Sequence, residues 1–186
     1  MDTAFASRWS RRFVGAGVVF LVAWGFAAIG GLGRRTEVTL LLFGFVLHTV
    51  FGKGYALIPS YFDRELAFAW APVVQLPLTA SAAIALAAST VPGVPFVAVE
   101  VAAVAWALGV VVFVGTMLAT LGGNVTGRET GTGEHNADRR AVDRAANAAV
   151  PIVLAYLLLG SYEFLAASLG LPTVFTGRMA AVSHLL

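Results

Sequence analysis

Three side chains carry ionisable chemistry into long apolar runs of this sequence: His48, Glu100 and Glu163. Ionisable groups at membrane depth are costly, so each is a candidate for function. An imidazole there can ligate a metal or pass a proton, and a carboxyl can hold or release one. His48 has the most telling surroundings. Gly44, His48 and Gly52 stand at i, i+4 and i+8, and Tyr55 continues the same helix face. Small residues beside a histidine have two uses. They admit a neighbouring helix closely, or they leave room for a flat ligand such as a porphyrin with the imidazole as axial ligand. A second face of this kind runs through Tyr156, Gly160, Glu163 and Ala167.

Depth follows from the helical rise. His48 lies roughly 16 Å below Glu37, near the bilayer midplane. Glu100 lies about 8 Å in from Pro95, and Glu163 about 11 Å in from Gly170. Two carboxyls at similar depth with a histidine beneath them would make a polar funnel open to the outside. The plainer reading gives each glutamate a hydrogen bond to a neighbouring helix or a kinked backbone. If residues 173–186 return into the membrane as a partial sixth helix, His184 reaches about 18 Å below Pro172, close to the depth of His48. Two midplane histidines on different helices are what a bis-histidine haem needs. His135 falls in a hydrophilic loop, where solvation is expected, and Lys53 is near enough to a helix end to snorkel.

The elements that must position these groups are membrane helices. The chain is 59% hydrophobic and 12% charged, with the charges gathered in a few short segments. Runs of about twenty apolar residues span a bilayer. Five such helices are expected, at about 13–32, 37–58, 67–89, 96–121 and 146–169. Pro59 is expected to end the second helix, and Pro72 and Pro77 to kink the third around Gln75. The one long hydrophilic stretch, 122–145, is read as a cytoplasmic loop that ends in a short helix from Asn136. The fold class is therefore all-α: a polytopic membrane bundle of five helices, one domain over 1–186, plus a tail that either stays outside or re-enters as a partial sixth. The first apolar run lacks a convincing cleavage site and is read as a retained helix.

With five helices and the N-terminus inside, the cytoplasmic segments hold Arg8, Arg11, Arg12, Lys53, Arg64, Arg128, Arg139, Arg140 and Arg144. The outer segments hold Arg34, Arg35 and Arg178. That imbalance predicts a multi-pass protein of the cell membrane with a cytoplasmic N-terminus.

Several functions are excluded by composition. There is no cysteine, hence no disulfide, thiolate metal site or thiol catalysis. A net charge of +2 without a basic stripe argues against nucleic acid as a partner. The FGKGY run lacks the glycine and the Ser/Thr of a phosphate-binding loop, and HNADRR lacks the spacing of a zinc site.

The run LLFGFVLHTVFGKGYALIP, from Leu41 to Pro59, resembles helices of haem-copper oxidase subunit I and of NnrS-type haem- and copper-binding membrane proteins. The matching residues are Gly44-Phe45, Phe51-Gly52, Gly54-Tyr55 and Pro59. The tail Val182-Ser183-His184-Leu185-Leu186 looks like the start of another such segment. The resemblance covers about a tenth of the chain, and five helices are too few for an oxidase core. It implies at most a reduced relative that binds one haem b or a copper ion, or an accessory protein for such an enzyme, in respiratory or nitrogen-oxide metabolism. The residues that would hold the ligand are His48 and His184, with Gly44, Gly52 and Tyr55 around it.

Three readings follow. The first is that haem- or copper-binding protein. The second is a non-catalytic structural or assembly subunit, in contact with other membrane subunits or with copies of itself. The third is a small proton-coupled transporter using Glu100 and Glu163, against which the lack of a visible inverted repeat counts. None of the three is an enzyme in its own right.

Overall fold

Backbone groups in lipid must find their partners within the segment, so an uncharged run long enough to cross has to coil. The computed structural model describes residues 3–125 and 140–175. It is all-helical there: α1 (Thr3–Ile29), α2 (Arg34–Tyr61), α3 (Ala71–Ala88), α4 (Val97–Leu121) and α5 (Arg140–Leu169), with no strand among the described residues. Each of the five contains a stretch long and apolar enough to cross a membrane. The exposure pattern is the reverse of a water-soluble protein's. Phe26, Ile29 and Val19 are exposed along α1, while His48, Gln75, Thr79 and Glu163 are buried. This is an integral membrane protein with several polar side chains buried within an apolar core.

The helix boundaries differ from expectation in ways that follow from backbone chemistry. α1 begins about ten residues earlier, because the arginine-bearing leader is itself helical, with Arg8, Arg11 and Arg12 exposed and Ser10 and Phe13 buried. The guanidinium of Arg12 lies 4.4 Å from the centre of the Trp9 ring. α2 continues past Pro59 to Tyr61. Proline cannot donate a backbone hydrogen bond, but its own carbonyl still accepts from Arg64, at 2.9 Å. Asp63 takes the left-handed conformation there (φ 49°). α3 starts at Ala71, so Pro72 sits in the first turn, where no N–H is missed, and only Pro77 is interior. The expected helix from Asn136 begins, among the described residues, at Arg140.

α1 packs along α2, α3 along α4, and α2 reaches both α3 and α4. α5 is different: among the described helices its backbone approaches that of α4 alone. Phe13, Phe20, Phe43, Phe51, Tyr55, Trp106 and Phe113 form the aromatic heart of the bundle. Two hydroxyls on α4 are satisfied within the helix, Thr116 donating to the Val112 carbonyl (2.6 Å) and Thr120 to that of Thr116 (2.7 Å). The Thr120 hydroxyl also accepts from the Ala67 N–H at 3.0 Å, tying the chain ahead of α3 to the end of α4.

Candidate functional site

α2 is not an ordinary α-helix throughout. Leu40–Val46 forms a π-helical segment immediately ahead of His48. Within it the Leu47 N–H reaches back to the Leu42 carbonyl, so it does not take the carbonyl of Phe43. That carbonyl accepts instead from Nδ1 of His48, at 2.8 Å. π-turns of this sort recur at functional sites. Here the turn fixes the imidazole: Nδ1 must carry the hydrogen, because a carbonyl can only accept.

The other nitrogen faces α3. Nε2 of His48 lies 3.2 Å from the Thr79 hydroxyl, which is also 3.1 Å from the Gln75 carbonyl one turn earlier. The hydroxyl has one proton to give. With a neutral ring it donates to Nε2; with a charged ring Nε2 donates to it, and its own proton goes to the Gln75 carbonyl. The same three groups can therefore hold the imidazole in either protonation state without moving.

The glycines beside His48 are not open space. A Cβ on Gly44 would lie 2.5 Å from Cγ of Phe20, and one on Gly52 would lie 2.7 Å from Cβ of Phe13 and 2.9 Å from the Ser10 carbonyl. Both rings belong to α1 and lie beside the imidazole, with ring centres 5.2 Å (Phe20) and 6.2 Å (Phe13) away. His48 is fully buried. Of the two uses open to a glycine-flanked histidine, close helix approach is the one this packing makes. A porphyrin or a copper ion does not fit His48 as the bundle is arranged: Nδ1 is bound to the backbone, Nε2 meets a hydroxyl, and phenylalanines fill the adjoining slots. Among the described residues no cluster of three or more His, Asp or Glu side chains is grouped for a metal. His184 and His135 lie outside the described residues.

Tyr55, two turns past His48 on the same face, is fully buried between Phe13 and Phe113 (5.7 and 5.1 Å between ring centres). Its hydroxyl has no hydrogen-bond partner among the described residues, and neither end of the buried Gln75 amide has one. Gln75 and Thr79 are the partners that sequence reasoning missed. Their signal was present: two hydrogen-bonding side chains at i and i+4 in an otherwise apolar stretch share one face.

Glu163 and Glu100 stand apart from this node. Glu163 is 1% exposed, and one of its carboxylate oxygens accepts from the Val174 N–H at 2.7 Å. Gly170 (φ 68°) ends α5 with the Leu171 N–H on the Ala166 carbonyl, a turn that sends 171–175 back along the helix. Tyr162 donates to the Pro172 carbonyl at 2.7 Å and holds the same segment. Glu100 is half-buried in the first turn of α4, where the helix dipole favours a carboxylate. Among the described residues no hydrogen bond links it to Glu163, so the expected funnel of paired carboxyls is not assembled by direct contact.

Between α2 and α5 lies an apolar cleft of about 380 Å³, lined by Phe43, Leu47, Trp106, Tyr156, Gly160 and Phe164 among others. A second cleft, about 410 Å³ and more polar, opens at the loop after α2 and has Ser7, Tyr55, Ser60, Asp63, Arg64 and Glu65 on its walls. No protein-family model, curated protein or solved structure matches the chain.

Proposed function

We propose that this protein is a non-catalytic helical subunit of a membrane assembly, its partners being other membrane subunits or further copies of the chain. The observation that carries this reading is the use made of its deepest ionisable groups. His48 spends both nitrogens on holding α2 to itself and to α3, and Glu163 spends an oxygen on the turn after α5. Both are engaged in packing, His48 through its two nitrogens and Glu163 through one oxygen, the other Glu163 oxygen being buried without a hydrogen-bond partner among the described residues.

The deciding experiment is an absorption spectrum of detergent-purified protein from haem-supplied cells, oxidised and dithionite-reduced, for wild type and His48→Ala. A subunit of this kind shows no band beyond the aromatic one, and His48→Ala lowers the unfolding temperature alone. A Soret band that disappears in His48→Ala overturns the proposal. Elution in mild detergent at the size of a single 19.4 kDa chain in its micelle, with no partner bound in native membranes, also counts against it.

A second reading, haem b or copper held through His48, has one feature in its favour. An imidazole whose Nδ1–H is anchored on a backbone carbonyl is oriented the way metal-ligating histidines are. It requires Nε2 to give up Thr79 and the α1 phenylalanines to withdraw. The same spectrum, with a copper assay beside it, separates the two.

A further inference from the structure

We infer that the bundle holds a small hydrated site between α2, α3 and α4, in which water bridges Tyr55 and Gln75 to the His48–Thr79 pair and is supplied from the loop-side cleft. α2 and α3 are consecutive spans that run in opposite directions. Starting from the His48–Thr79 contact, Tyr55 lies about 10 Å along α2 and Gln75 about 6 Å back along α3, both toward the 62–70 loop. Helix side chains lean toward their own N-terminus. That lean would carry the Tyr55 hydroxyl toward His48 and the Gln75 amide toward Tyr55.

α4 meets the two side chains on successive turns. A Cβ on Gly109 would lie 3.7 Å from Cγ of Gln75, and Phe113, one turn on, has its ring 5.1 Å from that of Tyr55. The Tyr55 hydroxyl and both ends of the Gln75 amide are buried without a hydrogen-bond partner among the described residues. An amide and a phenol left dry in a membrane interior cost several times what a bridged pair does. A water needs two to four polar partners, and the hydroxyl, the amide oxygen and the amide nitrogen supply them. Tyr55 also lines the polar cleft beside Asp63, Arg64 and Glu65, so it stands between that cleft and the buried groups. The inference goes beyond a packing role for His48: water along this row puts the imidazole in proton exchange with one side of the membrane.

The chain has no cysteine, so any introduced thiol is the sole one. The probe is Ag⁺, a thiophilic ion of water's size. Thr79→Cys is nearly isosteric, and Ala83→Cys lies one turn further along the same helix and is equally buried. Thiols react as thiolates, whose formation burial in apolar surroundings suppresses, so Thr79→Cys is expected to titrate with Ag⁺ roughly tenfold or more faster than Ala83→Cys. Adding Gln75→Leu to Thr79→Cys should remove the difference. Equal rates at 79 and 83, or a fast Thr79→Cys that Gln75→Leu leaves unchanged, overturn the inference. Wild-type protein gives a check that needs no thiol: in ¹⁵N-histidine-labelled protein, assigned with His48→Gln, the His48 Nδ1 proton should exchange into D2O within hours. Protection for days, as for a dry core amide, also overturns it.

Discussion

The interface of α1 with α2 and that of α2 with α5 are built from similar residues and come out differently. On the first, Gly44 and Gly52 receive Phe20 and Phe13 so closely that a single added carbon would collide with them. On the second, Phe43 meets Phe164 with ring centres 5.7 Å apart, and beside that contact a cleft remains, with Gly160 on its wall. Glycine on a helix face permits close approach without compelling it. In lipid, helices associate through packing and interhelical hydrogen bonds, and the α1–α4 core has both: phenylalanines seated on glycines, and a histidine bonded from α2 to α3, while α5 reaches the end of α2 through Asp143 and Tyr61.

The largest effects should come from filling the glycine slots. Gly44→Val places carbon 2.5–2.6 Å from Cγ and Cβ of Phe20, near the fixed root of that side chain, so the ring cannot simply swing aside. The expected cost is about 3 kcal/mol or more, enough to lose folded protein on size-exclusion chromatography. Gly52→Ala meets both the Phe13 Cβ and a backbone carbonyl and should cost about 1–3 kcal/mol in a detergent melt. Gly160→Ala on the α5 cleft should stay within about 0.5 kcal/mol of wild type. Similar losses at 52 and 160 would erase the distinction between the two interfaces.

His48→Ala comes next. It removes two hydrogen bonds from the core, strands the Phe43 carbonyl and leaves a void, for an expected loss of about 2–4 kcal/mol. Thr79→Val keeps the volume and removes the hydroxyl's contacts with Nε2 and with the Gln75 carbonyl, so it should cost about 1–2 kcal/mol. Were Thr79→Val as damaging as His48→Ala, the bond across to α3 rather than the anchor within α2 would hold the ring.

How far the sequence foretold these contacts depends on their range. The five spans were legible because lipid demands uninterrupted apolar length, and the face Gly44–His48–Gly52–Tyr55 because helical spacing is fixed. Which residues fill that face was not legible. Phe13 and Phe20 are some thirty residues away in sequence, and either a ring from α1 or a ligand satisfies the same glycine pattern. The π-helical segment had no signature either, since LLLFGFV reads as ordinary helix and the wider turn shows only in backbone bonds such as that from Leu47 to Leu42. Pro72 was misread as a kink because the helix start was placed four residues early; with Ala71 as the first helical residue the same proline is a favourable opening. Glu163 is buried in the bundle, but its partner, a backbone N–H eleven residues on, depends on a reversal set by Gly170.

Glu163 gives a smaller and more local test. Glu163→Gln keeps an oxygen for the Val174 N–H and should change stability by under about 1 kcal/mol, whereas Glu163→Ala leaves that N–H without its acceptor. The difference should show as faster proteolysis after residue 170 in the alanine variant, with the melting temperature of the bundle little moved. A drop in that temperature as large as the one from His48→Ala would mean that α5 is integral to the core rather than laid against α4.

The smallest expected effect sharpens the comparison most. Val153 lines the α2–α5 cleft and is 51% exposed, so Val153→Phe adds apolar volume where nothing blocks it. If the cleft is merely loose packing, the added ring should raise stability by up to about 1 kcal/mol, as cavity-filling changes commonly do. If another membrane subunit occupies the cleft, the isolated chain should gain that same stability while the variant loses its partner in native membranes. The isolated melt and the membrane pull-down therefore respond in opposite directions only when the cleft is an interface. A variant that neither gains stability nor changes its associations would mean that α5 already closes on α2 in the bilayer, and the contrast between the two interfaces would not survive insertion.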